Sequence, residues 1–596
     1  MAVTHSDRPK GATMRTIRLC DHGILPNTDI TLALRELFLR YPADTAFIFE
    51  DADYFFTPHD EMRANYSLSN TDRLPLRTLG IWMQNMKNCT LTGNGARLWF
   101  EGEMQCFTLD HCEDVRLSGF VMNWKKPLVS EGVVVGRDGE TLLVSIDPEK
   151  YPHRFREGVL EFDGGAGEWY PFWCNTIAFE PHDRTVRRDT ADIWFSEVTE
   201  RGDHIFAMTP YHPTSVEVGD LVNLRHSPRA HANIFTEKCR DVVVEDMVVL
   251  SGAGLGCLAQ FCHNLTYRRV HFLTDTAAGR LVSGGHDDGM HLTCNSGLIT
   301  VTECTFHALM DDPINVHACS VTCDEVVDAR TLRCKYRHPQ ACGFLYWAEA
   351  GDTVSFILRS SMHSVASATV TDYRLEDDET FLLTLAEPLS EEILSAARAG
   401  DTLALDNLSH QADFLCTGNR FGSCRARGVL IATAGKVRVS ENYFESSGSA
   451  ILLAGDANGW FESGECHDVE ITNNIFTDAC LSSPGYQFCG GVISICPVIP
   501  KPDLQKPFHK NVRIEGNVFD CATAPALFAY SCQNLTFAHN RILKSPAANG
   551  GDGVGRIHLL YCKGARIADN LHVGRFPNTH LPTVIQEVCE DVISDL

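Results

Sequence analysis

Two short acidic segments carry the residue types that hydrolytic chemistry needs. One contains Asp288 and ends at His291, and the other begins with Asp311 and Asp312 and ends at His317. Asp311 follows Asp288 by 23 residues. If the chain winds in turns of that length, these two aspartates lie one above the other, roughly 5 Å apart. Such a pair holds one carboxyl pKa high, and a proton donor beside an ionised base is what glycosidic hydrolysis requires.

The same residues admit simpler interpretations. The aspartates could cap turns of the chain, or they could supply the several oxygen ligands that Ca²⁺ prefers. His291 and His317 could be buried histidines that only make hydrogen bonds. No set of His, Asp and Glu residues has the spacing of a zinc site, so we expect neither a metal nor a cofactor.

A short repeat explains how such residues would be positioned. Alternating apolar and polar residues, which predict strands, follow a cysteine or accompany an asparagine at Cys112, Cys239, Cys262, Cys532 and Cys562 and at Asn419, Asn442, Asn474, Asn517 and Asn540. Several of these spacings are again 23 residues. Three strands of about five residues with tight turns fill such a repeat. The pattern therefore predicts an all-β chain folded as a right-handed parallel β-helix, whose turns, or coils, stack Asn and Cys as ladders.

The repeat is interrupted twice. A Gly-Asp turn followed by an alternating strand occurs at Gly219, Gly351 and Gly400, inside or at the end of each interruption. We therefore expect two small antiparallel β-barrel-like domains inserted into the β-helix, where they could wall a cleft. The predicted order is N-terminal coils over 1–124, a barrel over 125–228, coils with the catalytic residues over 229–317, a second barrel over 318–406 and C-terminal coils over 407–596.

Composition excludes several classes of partner. The 596 residues include 51 Lys and Arg against 77 Asp and Glu, for a formal net charge of −26. Nucleic acid and anionic membranes need a positive surface, so neither is expected as a partner. A hydrophobic content of 44% with 21% charged residues is typical of a globular chain.

The N-terminal sequence and the cysteines indicate the compartment. The sequence as it stands begins without an apolar signal segment, which favours a cytoplasmic protein. A secreted or periplasmic protein is expected instead if a signal was removed. The 24 cysteines are scattered over a large chain, so we interpret them mainly as buried thiols.

The motifs around the acidic segments resemble glycoside hydrolase family 110, the exo-acting α-1,3-galactosidases, which include enzymes that remove the blood-group B galactose. The resemblance rests on Asp288-Gly-Met-His291, Glu303-Cys-Thr-Phe306 and above all Asp311-Asp-Pro-Ile-Asn-Val-His317, and it extends from about residue 15 to 575. It implies a parallel β-helix with two barrels and a metal-independent, inverting mechanism. It further implies that Asp311 is the general acid and that Asp288 and Asp312 activate water. We expect their combined negative field to keep Asp311 protonated.

Further residues are candidates for binding the sugar. Arg427 and Glu462 on later coils could hydrogen-bond hydroxyl groups, although Arg427 could equally form a structural ion pair. Trp460 could stack on the galactose ring or simply pack beneath a loop. The remaining substrate-binding candidates are Gln260, His291, Asn315 and His317.

Three functions compete at this point. The first is removal of terminal α-1,3-linked galactose from an oligosaccharide or glycoconjugate. The second is a β-helix enzyme for uronic acids, such as a polygalacturonase or a lyase, which would need basic residues to bind carboxylates. No Lys or Arg cluster stands beside the aspartates in the sequence, which makes this alternative less favoured. The third is a non-catalytic carbohydrate-binding solenoid. The expected partner is a galactose-terminated glycan, and a homodimer is left open.

Overall fold

The computed structural model describes residues 14–595 apart from residues 73, 75, 183, 191, 283, 342, 399–402, 447, 478, 480–489, 521–524, 544–556 and 574–582. Gly400, one of the three predicted Gly-Asp turns, therefore lies outside the described residues. The described chain is a right-handed parallel β-helix with two antiparallel inserts, which confirms the predicted fold class.

Two faces of the β-helix form one continuous sheet. They are joined because long strands such as Lys87–Phe100 pair with two shorter strands at once, Ala43–Ile48 and Asp53–Phe56. In the described residues this sheet has 22 strands: Arg15–Arg18, Ala43–Ile48, Asp53–Phe56, Lys87–Phe100, Glu113–Trp124, Arg240–Val249, His263–Phe272, Ser296–Thr302, Thr305–His307, Asp413–Thr417, Arg420–Cys424, Val437–Ser440, Tyr443–Ser446, Val469–Thr472, Ile475–Thr477, His509–Glu515, Val518–Asp520, Cys532–Ala538, Arg541–Leu543, Arg566–Ala568, Leu571–Val573 and Ile593–Ser594.

The third face is a separate sheet, called the site sheet below. As far as the chain is described it has 14 strands: Arg63–Ala64, Arg77–Gln84, Gln105–Asp110, His231–Glu237, Gly254–Gln260, Met290–Thr293, Ile314–Cys319, Val429–Ala432, Ile451–Leu453, Glu462–Ser463, Ile493–Ile495, Leu527–Tyr530, Ile557–Leu560 and Val584–Glu587. The pairing is parallel except in two places: Arg63–Ala64 runs antiparallel to Arg77–Gln84, and Glu462–Ser463 runs antiparallel to the end of Ile314–Cys319. This antiparallel strand brings a later coil back over the middle of the sheet.

Ladders of identical residues fill the interior; the repeat predicted ladders of Asn and Cys, and the structure adds one of Phe. Phe444 stacks on Phe421 with ring centroids 4.4 Å apart and on Phe476 at 5.2 Å. The Asn442 side chain accepts from the backbone N–H of Asn419 and donates to Asn474, and the same pattern continues to Asn540. Each ladder satisfies the buried turn amides that a coil would otherwise leave unpaired. Most cysteines of the described residues are likewise buried free thiols.

The first insert leaves the β-helix after Trp124 and returns before His231. It contains a seven-stranded antiparallel sheet and a three-stranded sheet. The strands of the larger sheet are Val129–Asp138, Thr141–Ser145, Asn175–Thr176, Ala178–Phe179, Ile193–Glu200, Ile205–Pro210 and Leu221–Arg225, and those of the smaller are His153–Arg156, Val159–Gly165 and Glu168–Pro171. Val129–Asp138 and Thr141–Ser145 form a hairpin, in which Asp138 pairs with Thr141.

The second insert is a closed antiparallel barrel. Its strands are Val321–Val326, Thr331–Lys335, Thr353–Leu358, His363–Leu375, Thr380–Leu385 and Leu403–Asn407. It begins directly after the site-sheet strand Ile314–Cys319, so this strand has the acidic turn at its start and the barrel at its end. Closure removes exposed strand edges, which makes such a barrel a rigid wall.

Helices are few and peripheral. The described residues contain the α-helices Thr31–Arg40 and Glu391–Arg398 and the 3-10 turns Leu19–His22, Asp60–Met62, Pro339–Ala341 and Leu408–His410. In the part of the chain that the structure describes, no helix is both long enough and apolar enough to cross a membrane.

Candidate active site

The aspartates lie in the turns that lead into consecutive strands of the site sheet. Met290 pairs with Ile314 and, on the next coil, Ile314 pairs with Val429. Extended back by two residues, this register stacks Asp288 on Asp312. The offset in this coil is therefore 24 residues, and the prediction that Asp288 stacks on Asp311 was wrong by one position. The shift concerns the backbone positions, and the Asp311 carboxyl remains a close charged neighbour of Asp288.

Gly289 allows this stacking. A Cβ atom there would lie 2.6 Å from the Pro313 carbonyl oxygen and 2.8 Å from the Phe306 and Leu309 side chains. Only glycine lets the two turns approach closely enough for the Gly289 N–H to donate to the Asp312 carbonyl, at 2.9 Å.

Three arginines surround the acidic group. Arg229 lies 3.5 Å from both Asp288 and Asp311, Arg425 lies 3.2 Å from Asp311, and the Arg427 guanidinium lies 2.8 Å from Asp312. The expectation that no basic cluster stands beside the aspartates was therefore wrong. Arg229 sits far away in sequence, and nothing in its local pattern marks it. Because each guanidinium already contacts a carboxylate, the cluster does not restore the uronic-acid alternative.

Burial and the arginines shift the pKa values of the three carboxyls in different directions. Burial and the neighbouring Asp311 raise the pKa of Asp288 well above its usual value. Burial also raises the pKa of Asp312 strongly, against the opposing effect of Arg427. Burial acts to raise the pKa of Asp311 as well, but Arg425 and Arg229 outweigh it and hold that pKa below its usual value. In the unliganded protein the charges thus favour ionised Asp311, contrary to the expectation that its neighbours keep it protonated.

Exposure separates the three carboxyls in a second way. The Asp311 side chain is 20% exposed, whereas those of Asp288 and Asp312 are 3% and 2% exposed. Asp311 is therefore the carboxyl that reaches solvent, and Asp288 and Asp312 are enclosed.

A histidine pair and a glutamate adjoin the acids. Asp288 contacts His291 at 2.9 Å, the Nε2 atoms of His291 and His317 are 3.0 Å apart, and Glu462 lies 3.7 Å from His317. Asn315 Nδ2 donates to Glu462 at 3.4 Å. Burial opposes ionisation of Glu462, but His317 and His291 lower its pKa below the usual value.

These side chains also bear on the question of a metal. His291, His317 and Glu462 place three potential ligand atoms within 4.8 Å of one another. The two imidazole nitrogens, however, face each other at hydrogen-bond distance, and His291 uses its other nitrogen on Asp288. The cluster is a hydrogen-bonded chain of side chains, and its nitrogens are engaged with each other.

A segment before the second site-sheet strand covers the histidines. Ser69 Oγ lies 3.3 Å from His291, and the Ser69 N–H donates to Gln260 at 3.2 Å. Gln260 also donates to the Ser67 carbonyl at 2.7 Å. Gln260 therefore acts on the site through this segment, which it holds in place.

The same segment fixes Arg229. The Arg229 N–H donates to the Asp72 carboxylate at 3.0 Å, and the Asp72 N–H donates back to the Arg229 carbonyl. Asn70 donates to the Gln340 carbonyl of the second insert at 3.0 Å. The site thus joins the β-helix, this covering segment and the second insert.

The two inserts complete the walls. Asp192 of the first insert accepts a hydrogen bond from Arg425 Nε at 2.8 Å, on the guanidinium that contacts Asp311. On the opposite side Trp460 stacks on His338 with ring centroids 4.3 Å apart, and it remains 53% exposed. Trp460 presents a flat aromatic face to solvent, so it is not buried beneath a loop.

Comparison with known proteins agrees with this architecture. Family profiles match residues 130–222 as GLAA-B beta-barrel domain I, residues 331–403 as GLAA-B beta-barrel domain II and residues 407–556 as a right handed beta helix region. The chain is 34% identical to Alpha-1,3-galactosidase B of Bacteroides thetaiotaomicron, over 94% of this chain and 91% of that protein. It is 31% identical to Alpha-1,3-galactosidase B of Akkermansia muciniphila, over 87% of this chain and 64% of that protein.

The fold, the buried aspartates and these relatives together define a β-helix glycosidase. The chain belongs to the α-1,3-galactosidase family, glycoside hydrolase family 110, as its motifs indicated.

Proposed function

We propose that this protein removes terminal α-1,3-linked galactose from glycans by single displacement with inversion. The observation that carries the proposal is the division of three neighbouring carboxyls into two buried ones, Asp288 and Asp312, and one that is partly exposed, Asp311. The linkage and the sugar are taken from the curated relatives, two of which are named Alpha-1,3-galactosidase B.

The division of the carboxyls assigns their roles. The leaving sugar departs toward solvent, so the general acid that protonates its oxygen belongs on the exposed side, where Asp311 lies. The attacking water must approach the opposite face of the sugar ring, beside Asp288 and Asp312. Two buried carboxyls can polarise one water from two sides, which suits a shared base better than a nucleophile.

Catalysis then requires Asp311 to be protonated while the buried pair is ionised. The charges of the unliganded site favour the reverse distribution. The active form is consequently a minor arrangement of the same protons. In the pH profile of kcat/KM, the acid limb therefore reports the pKa of Asp311, and the alkaline limb reports that of the buried pair.

Exo action is supported by the walls of the site. The covering segment at Ser69, the returning strand at Glu462 and the first insert at Asp192 approach the aspartates from three sides. Such an enclosure fits one terminal sugar better than a continuous chain. Buried Asn315 Oδ1 has no hydrogen-bond partner among the described residues, which suits a sugar hydroxyl donor.

The remaining binding candidates have roles that follow from position. Glu462 and His317 can hydrogen-bond sugar hydroxyls, and the exposed face of Trp460 can stack on a pyranose ring. Arg427 contacts Asp312 through both its backbone N–H and its guanidinium, so its role is to hold in place the two carboxyls that act as the base.

The stereochemistry of the first product tests the proposal. Proton NMR in the opening minutes of hydrolysis should show β-galactose released from an α-galactoside, before mutarotation mixes the anomers. An initial α-anomer would indicate a covalent intermediate and reject inversion. A panel of nitrophenyl glycosides, with α-galactoside expected as the hydrolysed member, tests the sugar independently.

A further inference from the structure

Three buried side chains form a continuous hydrogen-bonded chain. Asp288 Oδ2 lies 2.9 Å from His291 Nδ1, and His291 Nε2 lies 3.0 Å from His317 Nε2. At the far end His317 Nδ1 lies 2.8 Å from the carbonyl oxygen of Ala318. The three residues are 3%, 0% and 6% exposed.

The partners fix how many protons this chain contains. A carbonyl oxygen only accepts, so His317 Nδ1 carries a hydrogen and donates to Ala318. Two imidazole nitrogens 3.0 Å apart need one hydrogen between them, and so does the contact between Asp288 and His291. Any arrangement that meets all three conditions has one proton more than a carboxylate with two neutral imidazoles.

That additional proton has three resting places. It can neutralise Asp288, which then donates to His291; it can make His291 an imidazolium; or it can make His317 one. These arrangements differ only in where each hydrogen sits along two short contacts, and no heavy atom moves between them.

We propose that Asp288, His291 and His317 share this single proton and act as one base, with the two histidines as positioning residues that draw the proton away from Asp288. The inference deepens the proposed function, on which it rests. In the transfer the Asp288 O–H bond breaks as His291 Nδ1–H forms, and the His291 Nε2–H bond breaks as His317 Nε2–H forms. Asp288 becomes a carboxylate that can accept a proton from water, and His317 becomes an imidazolium.

The surroundings suit both ends of the transfer. Glu462, 3.7 Å from His317, offsets the positive charge of an imidazolium there. Burial and the facing Asp311 raise the pKa of Asp288, and burial and His317 lower that of His291, and both shifts favour the arrangement with the proton on Asp288. The charged groups that face the shared-proton unit are Arg229, Arg427, Asp287, Asp311, Asp312 and Glu462.

Neutron diffraction on the wild-type protein, exchanged into heavy water near neutral pD, tests the proton count directly. We expect one deuteron in the contact between the two Nε2 atoms, one between Asp288 and His291, and one on His317 Nδ1. A contact without a deuteron, or a water or metal ion between the imidazoles, would overturn the proposal. This readout needs no turnover, so it is independent of whether the protein proves to be an α-galactosidase.

Kinetics test whether the unit acts as one base. The pH profile of kcat/KM should shift its alkaline limb in both His291→Gln and His317→Gln, and the double variant should shift it no further than the larger single shift. Thr293→Val, which removes a hydroxyl 3.4 Å from His317 without interrupting the chain, is the matched control and should leave the limb in place. Additive shifts, or an unshifted limb in His317→Gln, would reject the shared base.

Discussion

Replacing Asp311 with asparagine separates proton donation from every other role of this residue. The amide keeps the shape of the carboxyl and one oxygen that can accept from Arg425 and Arg229, which lie 3.2 and 3.5 Å away in the wild type. It cannot deliver a proton to a leaving oxygen. General acid catalysis typically contributes about 10²–10⁴-fold, which corresponds to about 3–5 kcal/mol of transition-state stabilisation.

The size of the loss should depend on the leaving group. A disaccharide leaves as an alkoxide without protonation, so Asp311→Asn should lose about 10²–10⁴-fold in kcat/KM on galactose-α-1,3-galactose. Dinitrophenolate is a stable anion that needs no proton, and the loss on dinitrophenyl α-galactoside should be about 10-fold or less. Released galactose and released dinitrophenol are measured separately, with circular dichroism to confirm folding.

Asp312→Asn is the matched control. It removes one of the two buried carboxyls that act as the base. Because the base is needed whatever the leaving group, kcat/KM should fall by the same factor on both substrates. Equal losses on the two substrates in Asp311→Asn, or more than about half of wild-type turnover on the disaccharide, would refute the assignment of Asp311 as the acid.

Three further outcomes are expected. Arg425→Gln should move the acid limb of the kcat/KM profile to higher pH, because Arg425 lowers the pKa of Asp311. Asp192→Asn removes a carboxylate that competes for Arg425, so it should move the acid limb to lower pH. Treatment with EDTA should leave activity unchanged, and a loss that calcium restores would make the aspartates metal ligands. Asp406→Asn should raise the melting temperature by an amount that grows as the pH rises from about 4 to about 6 and then levels off. Burial raises the pKa of Asp406 from 3.8 to about 6, so the folded wild type loses about 3 kcal/mol of stability over that interval.

The fold could be predicted from the sequence because each coil repeats the same local pattern of residues. The alternating strands, the Phe and Asn ladders and the interrupting segments all follow from residues that recur at a near-constant spacing. A solenoid coil contacts mainly its neighbours, so local pattern and tertiary contact coincide. The acidic residues could be located for the same reason, since each lies in a turn beside a recognisable strand.

The arrangement within the site depended on the tertiary structure. One extra residue in the coil after Asp288 stacks it on Asp312 and not on Asp311, and constant spacing could not show that insertion. Arg229, next to the first insert, contacts Asp311, and Asp192 of that insert contacts Arg425. Ser69 contacts His291 from the early coils.

The sequence by itself therefore determined the architecture, the family and the identity of the acidic residues. Only the tertiary structure decided which carboxyl is exposed, which is paired with which arginine, and where a shared proton can lie. These properties depend on distances of a few ångströms between segments far apart in the chain, and electrostatic interactions in a buried site change steeply over such distances.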